Sequence, residues 1–394
     1  MTAAARFDAR LVAVSAAGIA AFLNVYAPQP LLPTLVNELG VDAAAAGFVV
    51  SAGTLSMAVA SPLAGVVVAR ASRRSVLWVC FAAQLVTLIG CATSTGLHTL
   101  VAWRFLQGLF IPPLLTLTMA FVGQSWERRD VGHIMSIYVA ANVIGGFSGR
   151  LITGIATAHV GWRTAFLVLA AADLACAWLV LAAMPEGHGP AASLDLAVLA
   201  RHLRDGRLRV AYATGFTVLF ALVALFTYVN HHLAAPPFRL GPGALGWVFS
   251  VYLVGCVVTP LGGRLIAPWG HRRVIVGATV VAMLGGGLTL VPSLSAILAG
   301  LTVCSSCVFI MQSAATGYVS DVAGIERASA LGLYLCCYYL GGSLGAVAPG
   351  IAWSGAGWPG TIALLLAVQA VTILLALRLD DRPLHEPMEA DAVG

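Results

Sequence analysis

The chain is a succession of apolar runs, each near the roughly 20 residues that an α-helix needs to cross about 30 Å of hydrocarbon. Short polar breaks part them. The runs fall near residues 10–32, 45–69, 75–93, 99–123, 131–156, 163–184, 208–233, 244–267, 273–291, 295–319, 328–352 and 360–378, numbered here as spans 1 to 12. With 60% apolar and 9% charged residues over a length of 394, a surface facing water cannot be covered. The pattern predicts an all-α polytopic membrane protein with twelve transmembrane helices. It excludes a soluble enzyme, a disordered chain and a secreted disulfide scaffold, and it leaves no stretch for an appended soluble domain.

Every basic residue is arginine, the mark of a GC-rich codon bias, and the arginines cluster between the runs. If the N-terminus is cytoplasmic, sixteen of them fall on inner segments and only Arg163 and Arg239 on outer loops. That asymmetry predicts that both termini are cytoplasmic. The net charge of +5 is thereby a topology signal, and no nucleic-acid partner is expected. Arg104, Arg150 and Arg264 remain inside or near spans. The first run follows Arg6 and Arg10 and has the small residues of a signal peptide, but its length and eleven successors favour a retained helix.

Residues 185–207 are the one sizeable internal break, and they split the spans six and six. The expected organisation is an N-terminal bundle over 1–184, a cytoplasmic linker over 185–207, a C-terminal bundle over 208–378 and a polar tail over 379–394. Within the linker, apolar residues at helical spacing among Arg and Asp suit an amphipathic helix lying on the inner membrane surface. The eight cysteines sit in or beside apolar runs and read as packing residues, the Cys304–Cys307 pair included.

The two halves repeat one another. Pro62, Leu63, Gly65 and Arg74 align with Pro260, Leu261, Gly263 and Arg272 at an offset of 198. Tyr138, Gly145, Gly146, Gly149, Gly154, Gly161 and Trp162 align with Tyr334, Gly341, Gly342, Gly345, Gly350, Gly357 and Trp358 at an offset of 196. Seven identities at one offset imply two copies of a six-helix unit, an arrangement that suits alternating access about a midplane site.

On these motifs the chain resembles the major facilitator superfamily along nearly its whole length. Gly65, Arg70, Arg73 and Arg74 resemble the family's cytoplasmic gating signature, echoed by Gly263 and Arg272, although Ala69 stands where the family has aspartate and Ser72 where it has a later glycine. Leu100, Arg104, Gln107 and Gly108 have the spacing of a second family motif in span 4. Gly145, Gly149 and Gly154 look like the glycine-rich motif of drug/proton antiporters, with Arg150 where proline usually stands; Gly341, Gly345 and Gly350 repeat the glycines, which permit close helix packing. YAPQPLLP in span 1 and TYVNHHLAAPPF in span 7 resemble the YnfM-like branch of those exporters.

The resemblance implies that spans 1, 4, 7 and 10 line a central cavity while spans 3, 6, 9 and 12 lie outside. Candidate substrate or coupling residues are then Asn24, Tyr26, Gln29, Arg104, Gln107, Arg150, Tyr228, Asn230, His231 and Gln312. Asp173 in span 6, the only acid inside a predicted span, is either a proton carrier or a structural hydrogen-bond partner. No P-loop, H-E-x-x-H or G-x-S-x-G pattern appears, so no catalytic residue, metal or cofactor is expected.

The expected function is a monomeric secondary transporter of a bacterial inner membrane that exports a small molecule with a proton gradient as its energy source. An importer of a sugar or organic acid is the alternative within that class, and a non-transporting sensor on the same fold the alternative outside it. Because spans 1, 4, 7 and 10 hold arginine and no acid, the expected substrate is neutral and polar or anionic, bound beside Arg104 and Asn24.

Overall fold

Proline writes the first irregularity. Span 1 starts as α1 (Ala9–Leu23), with the Asp8 carboxylate accepting from the Arg10 amide at its N-terminus, and the helix fails over Tyr26-Ala27-Pro28-Gln29-Pro30. The chain makes a short turn at Gln29–Leu31 and resumes as α2 (Leu32–Leu39). Asn24 would normally give its carbonyl to the amide four residues on, but that residue is Pro28, which has no N–H. The Gln29 amide goes to Tyr26 and the Leu31 amide to Pro28, so the carbonyls of Asn24, Val25 and Ala27 lack helical donors. A backbone opening of this kind persists in a membrane only where other groups satisfy it.

The structure, a computed structural model, describes residues 8–189 and 195–380, with the side chains of residues 256, 259–263 and 325 left out. Gly263, the tail from residue 381 and five linker residues fall outside the described residues. Span 2 comprises α3 (Ala43–Ala60) and α4 (Ala64–Arg70), span 3 is α5 (Arg73–Ala92), and span 4 comprises α6 (Leu97–Gly108) and α7 (Ile111–Ser125). Spans 5 and 6 are α8 (Arg128–Val160) and α9 (Trp162–Ala183). A short helix, α10 (Leu196–Arg204), precedes span 7, which is α11 (Gly206–Ala234).

Span 8 opens with α12 (Pro242–Val248) and continues into α13 (Tyr252–Leu288), which turns a corner at Gly270 to become span 9. Gly270 has φ 76°, a left-handed conformation that a side chain resists. Span 10 is α14 (Leu294–Ala323) and span 11 is α15 (Arg327–Val347). In α16 (Pro349–Ala376) a second corner, at Gly357 with φ 59°, leads into span 12. Among the described residues nine helices are long and apolar enough to cross a bilayer; span 1 and the two arms joined at Gly270 bring the passes to twelve.

Large apolar side chains such as Ile351 at 83% and Trp178 at 70% exposure point away from the bundle. A protein in water rarely carries so many, whereas hydrocarbon is their matched solvent.

Paired contacts make the internal repeat visible. Gly145 and Gly149 of α8 lie against the carbonyls of Ile19 and Leu23 of α1, and Gly341 and Gly345 of α15 lie against those of Phe216 and Phe220 of α11. Tyr138 likewise covers Gly18, and Tyr334 covers Gly215. The same two helices of each half are therefore pressed together at the same residues.

The third glycine of each series crosses between halves. Gly154 meets Pro242 and Gly246 at the start of span 8, and Gly350 meets Ala44 at the start of span 2, with Gly47 against the Ala346 carbonyl nearby. Ser51 and Ser343 share a hydrogen bond of 2.7 Å in the same seam. All these contacts lie on the side of the bundle away from the chain termini, and they seal it.

Candidate substrate cavity

A cavity of about 350 Å³ lies between the halves. Its walls come from span 1 (Phe22, Tyr26, Gln29), span 5 (Asn142, Gly146, Arg150), span 7 (Leu219, Val223), span 8 (Tyr252), span 10 (Phe309, Gln312, Thr316) and span 11 (Tyr338, Tyr339). Span 4, expected to line it, supplies nothing, while spans 5, 8 and 11 supply much of the wall. Asn142, Tyr252, Tyr338 and Tyr339 are thus lining residues that the sequence reasoning missed.

Among the described residues Arg150 is the only charged one in the lining. It is 4% exposed. Its Nε donates to Gln29 Oε1 at 2.8 Å and one terminal nitrogen, Nη1, donates to the Gly146 carbonyl at 2.7 Å. The guanidinium carbon stands 5.0 Å from the ring centre of Tyr26, 4.6 Å from Phe249 and 4.9 Å from Tyr252. Among the described residues no carboxylate pairs with it. Aromatic faces offset part of an arginine's burial, an insertion penalty of about 2.5–3.5 kcal/mol at a bilayer centre.

Gln29 ties this cation to the other half. While its Oε1 accepts from Arg150, its Nε2 donates to Thr227 Oγ1 of span 7 at 3.3 Å. Gln312, on the opposite wall, accepts from the Tyr338 hydroxyl at 2.8 Å.

Arg104, the span 4 arginine expected beside the substrate, stands elsewhere. It does not line the cavity. Its Nη1 donates to the Asn24 carbonyl at 2.9 Å, its Nη2 to the Val25 carbonyl at 2.5 Å, and its Nε to the Val49 carbonyl at 3.2 Å. Gln107 Oε1 also accepts from Nη1. The guanidinium therefore replaces the donors that Pro28 and the short turn remove from span 1. Thr153 does the same for Ala27, whose carbonyl accepts from its hydroxyl at 2.6 Å.

Asn24 is likewise absent from the lining; its Nδ2 donates to Asp173 Oδ1 at 3.0 Å. This bond links span 6 to span 1 at the level of the break. Tyr228, Asn230 and His231 belong to the sealed side and not to the cavity. The Tyr228 hydroxyl donates to the carbonyls of Ala346 and Val347 at 3.3 and 3.2 Å, Asn230 donates back to Phe226 within its own helix at 2.6 Å, and the His231 ring lies 5.9 Å from that of Trp353.

In the gating signature, Arg73 does the binding. It donates to the Pro185 carbonyl at 2.9 Å and to Gln124 at 3.0 Å, with its guanidinium 4.6 Å above the Phe121 ring, so it ties spans 3, 4 and 6 within one half. Arg70 and Arg272 are exposed, and Arg74 approaches Glu186 only to 3.9 Å at the surface, a separation of little energetic weight. Gly65 lies in α4.

Twelve passes in two repeated halves, closed at one end around a polar-tipped cavity, define a secondary transporter, not an enzyme. The chain belongs to the Major Facilitator Superfamily, whose family model matches residues 14–238 and 210–391. It is similar to the uncharacterized MFS-type transporter YybF of Bacillus subtilis, 28% identical over 366 residues, covering 92% of this chain and 91% of the relative. It is also similar to the inner membrane transport protein YnfM of Escherichia coli, 29% identical over 376 residues, with 94% and 90% covered. Among solved structures, the human organic anion transporter MFSD10 shares the fold, with a TM-score of 0.71 at 18% identity over 94% of this chain and 99% of that one.

Proposed function

We propose that this chain exports a small neutral polar or anionic solute across a bacterial inner membrane, driven by protons, with both termini in the cytoplasm. The observation that carries the substrate charge is Arg150, a buried cation on the cavity wall with no acidic residue beside it among the described residues. A lipophilic cation taken from water into this cavity would find like charge and no carboxylate to offset its desolvation. Export draws on the likeness of Gly145, Gly149 and Gly154 to the exporter motif.

Asp173 is the proposed proton carrier. It sits within a span, and its bond to Asn24 connects its charge state to the broken helix that positions Tyr26 and Gln29. Protonation would remove a charge from low dielectric and leave one carboxyl oxygen accepting from Asn24. Import of an organic acid uses the same geometry with the opposite driving direction.

The test is transport by purified protein in liposomes with an imposed pH gradient of either sign. Accumulation of a carboxylate or neutral solute that follows the gradient supports the reading. Ready movement of quaternary ammonium compounds without competition from carboxylates would sink it.

A further inference from the structure

Resting on the anion reading above, we propose that the cavity takes a planar aromatic monocarboxylate, with its carboxylate on Arg150 and its ring among the tyrosines and phenylalanine of spans 8, 10 and 11. Three observations converge on this class.

The first is the state of the cation. Nε and Nη1 of Arg150 already have partners, and among the described residues nothing accepts from Nη2. One open donor edge and one positive charge suit a single carboxylate. A second negative charge on the solute would meet no cation, because the described residues of the lining hold no other.

The second is what surrounds that cation. Beyond Arg150 the lining carries six rings: Phe22 and Tyr26 from one half, and Tyr252, Phe309, Tyr338 and Tyr339 from the other. Tyr252 and Phe309 meet edge to face, with ring centres 5.9 Å apart, and do not stack upon each other. A planar ring entering beside them gains offset-stacked or edge-on contacts that a saturated ring of the same size cannot make. A sugar would bring hydroxyls on every face, and those turned to the rings, valines and leucines would lack partners, with Asn142, Gln312, Ser313 and Thr316 left to meet the rest.

The third is size. About 350 Å³ is at the small end of ligand pockets. Gln312 Oε1 is engaged by Tyr338, and its Nε2 has no partner among the described residues, so one polar substituent on the ring can be met from the C-terminal half.

Binding of four naphthalene-sized probes to the purified full-length protein in detergent, followed by thermal stabilisation against concentration, tests this. The probes are 2-naphthoate, its saturated decahydro analogue, 2-naphthamide and 2-naphthylmethylamine. The saturated acid is the more hydrophobic of the two acids, so a preference for the aromatic one reports ring recognition. We expect 2-naphthoate to bind about tenfold more tightly than each of the others. Tyr252→Leu should shrink the aromatic-over-saturated ratio to below about threefold while keeping the acid-over-amide ratio. Arg150→Gln should do the reverse, and if it fails to fold the wild-type series still decides. Equal binding of the saturated acid overturns the aromatic proposal and leaves the anion reading standing. Equal binding of the amide or the amine overturns both, and absence of stabilisation by 2-naphthoate overturns the proposal outright.

Discussion

Arg150 and Gln29 form a single hydrogen-bonded unit, Nε to Oε1 at 2.8 Å, on a cavity wall that holds no carboxylate among the described residues. Because Gln29 also reaches Thr227, the pair connects the cation on the cavity wall to the other half of the molecule.

Thr227→Val removes the acceptor of Gln29 Nε2 and keeps the side chain's shape. The sealed side should then open more often. Spin labels at residues 98 and 295, exposed at the sealed end of the two halves, should show a larger long-distance population than in the parent. An unchanged distribution would deny the bond a part in closure.

Arg104→Ala leaves the Asn24 and Val25 carbonyls without their donor, an effect of about 1–3 kcal/mol on stability. The melting temperature in detergent should fall, and the surviving folded protein should bind solute with unchanged affinity. Arg104→Lys recovers little, since one ammonium lacks the planar fork that reaches two adjacent carbonyls. Normal stability with lost binding would restore Arg104 to the substrate site.

Asp173→Asn keeps an oxygen for Asn24 to donate to, so the fold should survive. Accumulation driven by a pH gradient should vanish while exchange of internal for external solute continues. If gradient-driven transport persists at parental rates, another group carries the proton.

Gly149→Ala and Gly345→Ala each drive a methyl group into a facing carbonyl, of Leu23 and Phe220 respectively. Each should destabilise by about 1–3 kcal/mol, and by similar amounts because the contacts are repeats of one another. Gly123→Ala and Gly277→Ala, where nothing lies within 4 Å, serve as controls and should be neutral to slightly stabilising. Thermal melts of the four variants check both statements.

The number of passes and the repeat were legible in the sequence because each rests on a local signal: an apolar run of bilayer length, or an identity at fixed offset. The ends of spans 8 and 9 were less so, since Gly270 makes a corner in one continuous helix where a loop was expected. The surroundings of Arg104 were hidden for a different reason. Its partners are carbonyls, which no sequence pattern displays, although Pro28 standing four residues after Asn24 signals one orphaned carbonyl near by. Arg150 was marked out by its departure from the exporter motif, and the cavity does hold it. Tyr252, Tyr338 and Tyr339 escaped notice because the cavity was expected from spans 1, 4, 7 and 10, and aromatic residues in an apolar helix carry no mark of which face they occupy.

The seam on the sealed side is made of Ala44, Gly47, Ser51, Ser343, Ala346 and Gly350. Its smallness has a consequence for turnover. A barrier in a transporter has to dissolve once per cycle and stand as wetted wall until it forms again, so each of its residues lives alternately in contact and in water. Leucines would close more firmly and then resist hydration, holding the protein in one state. Glycine, alanine and serine bury little apolar area when they meet and expose little when they part, which keeps the two states close in free energy and lets something as modest as one bound solute choose between them.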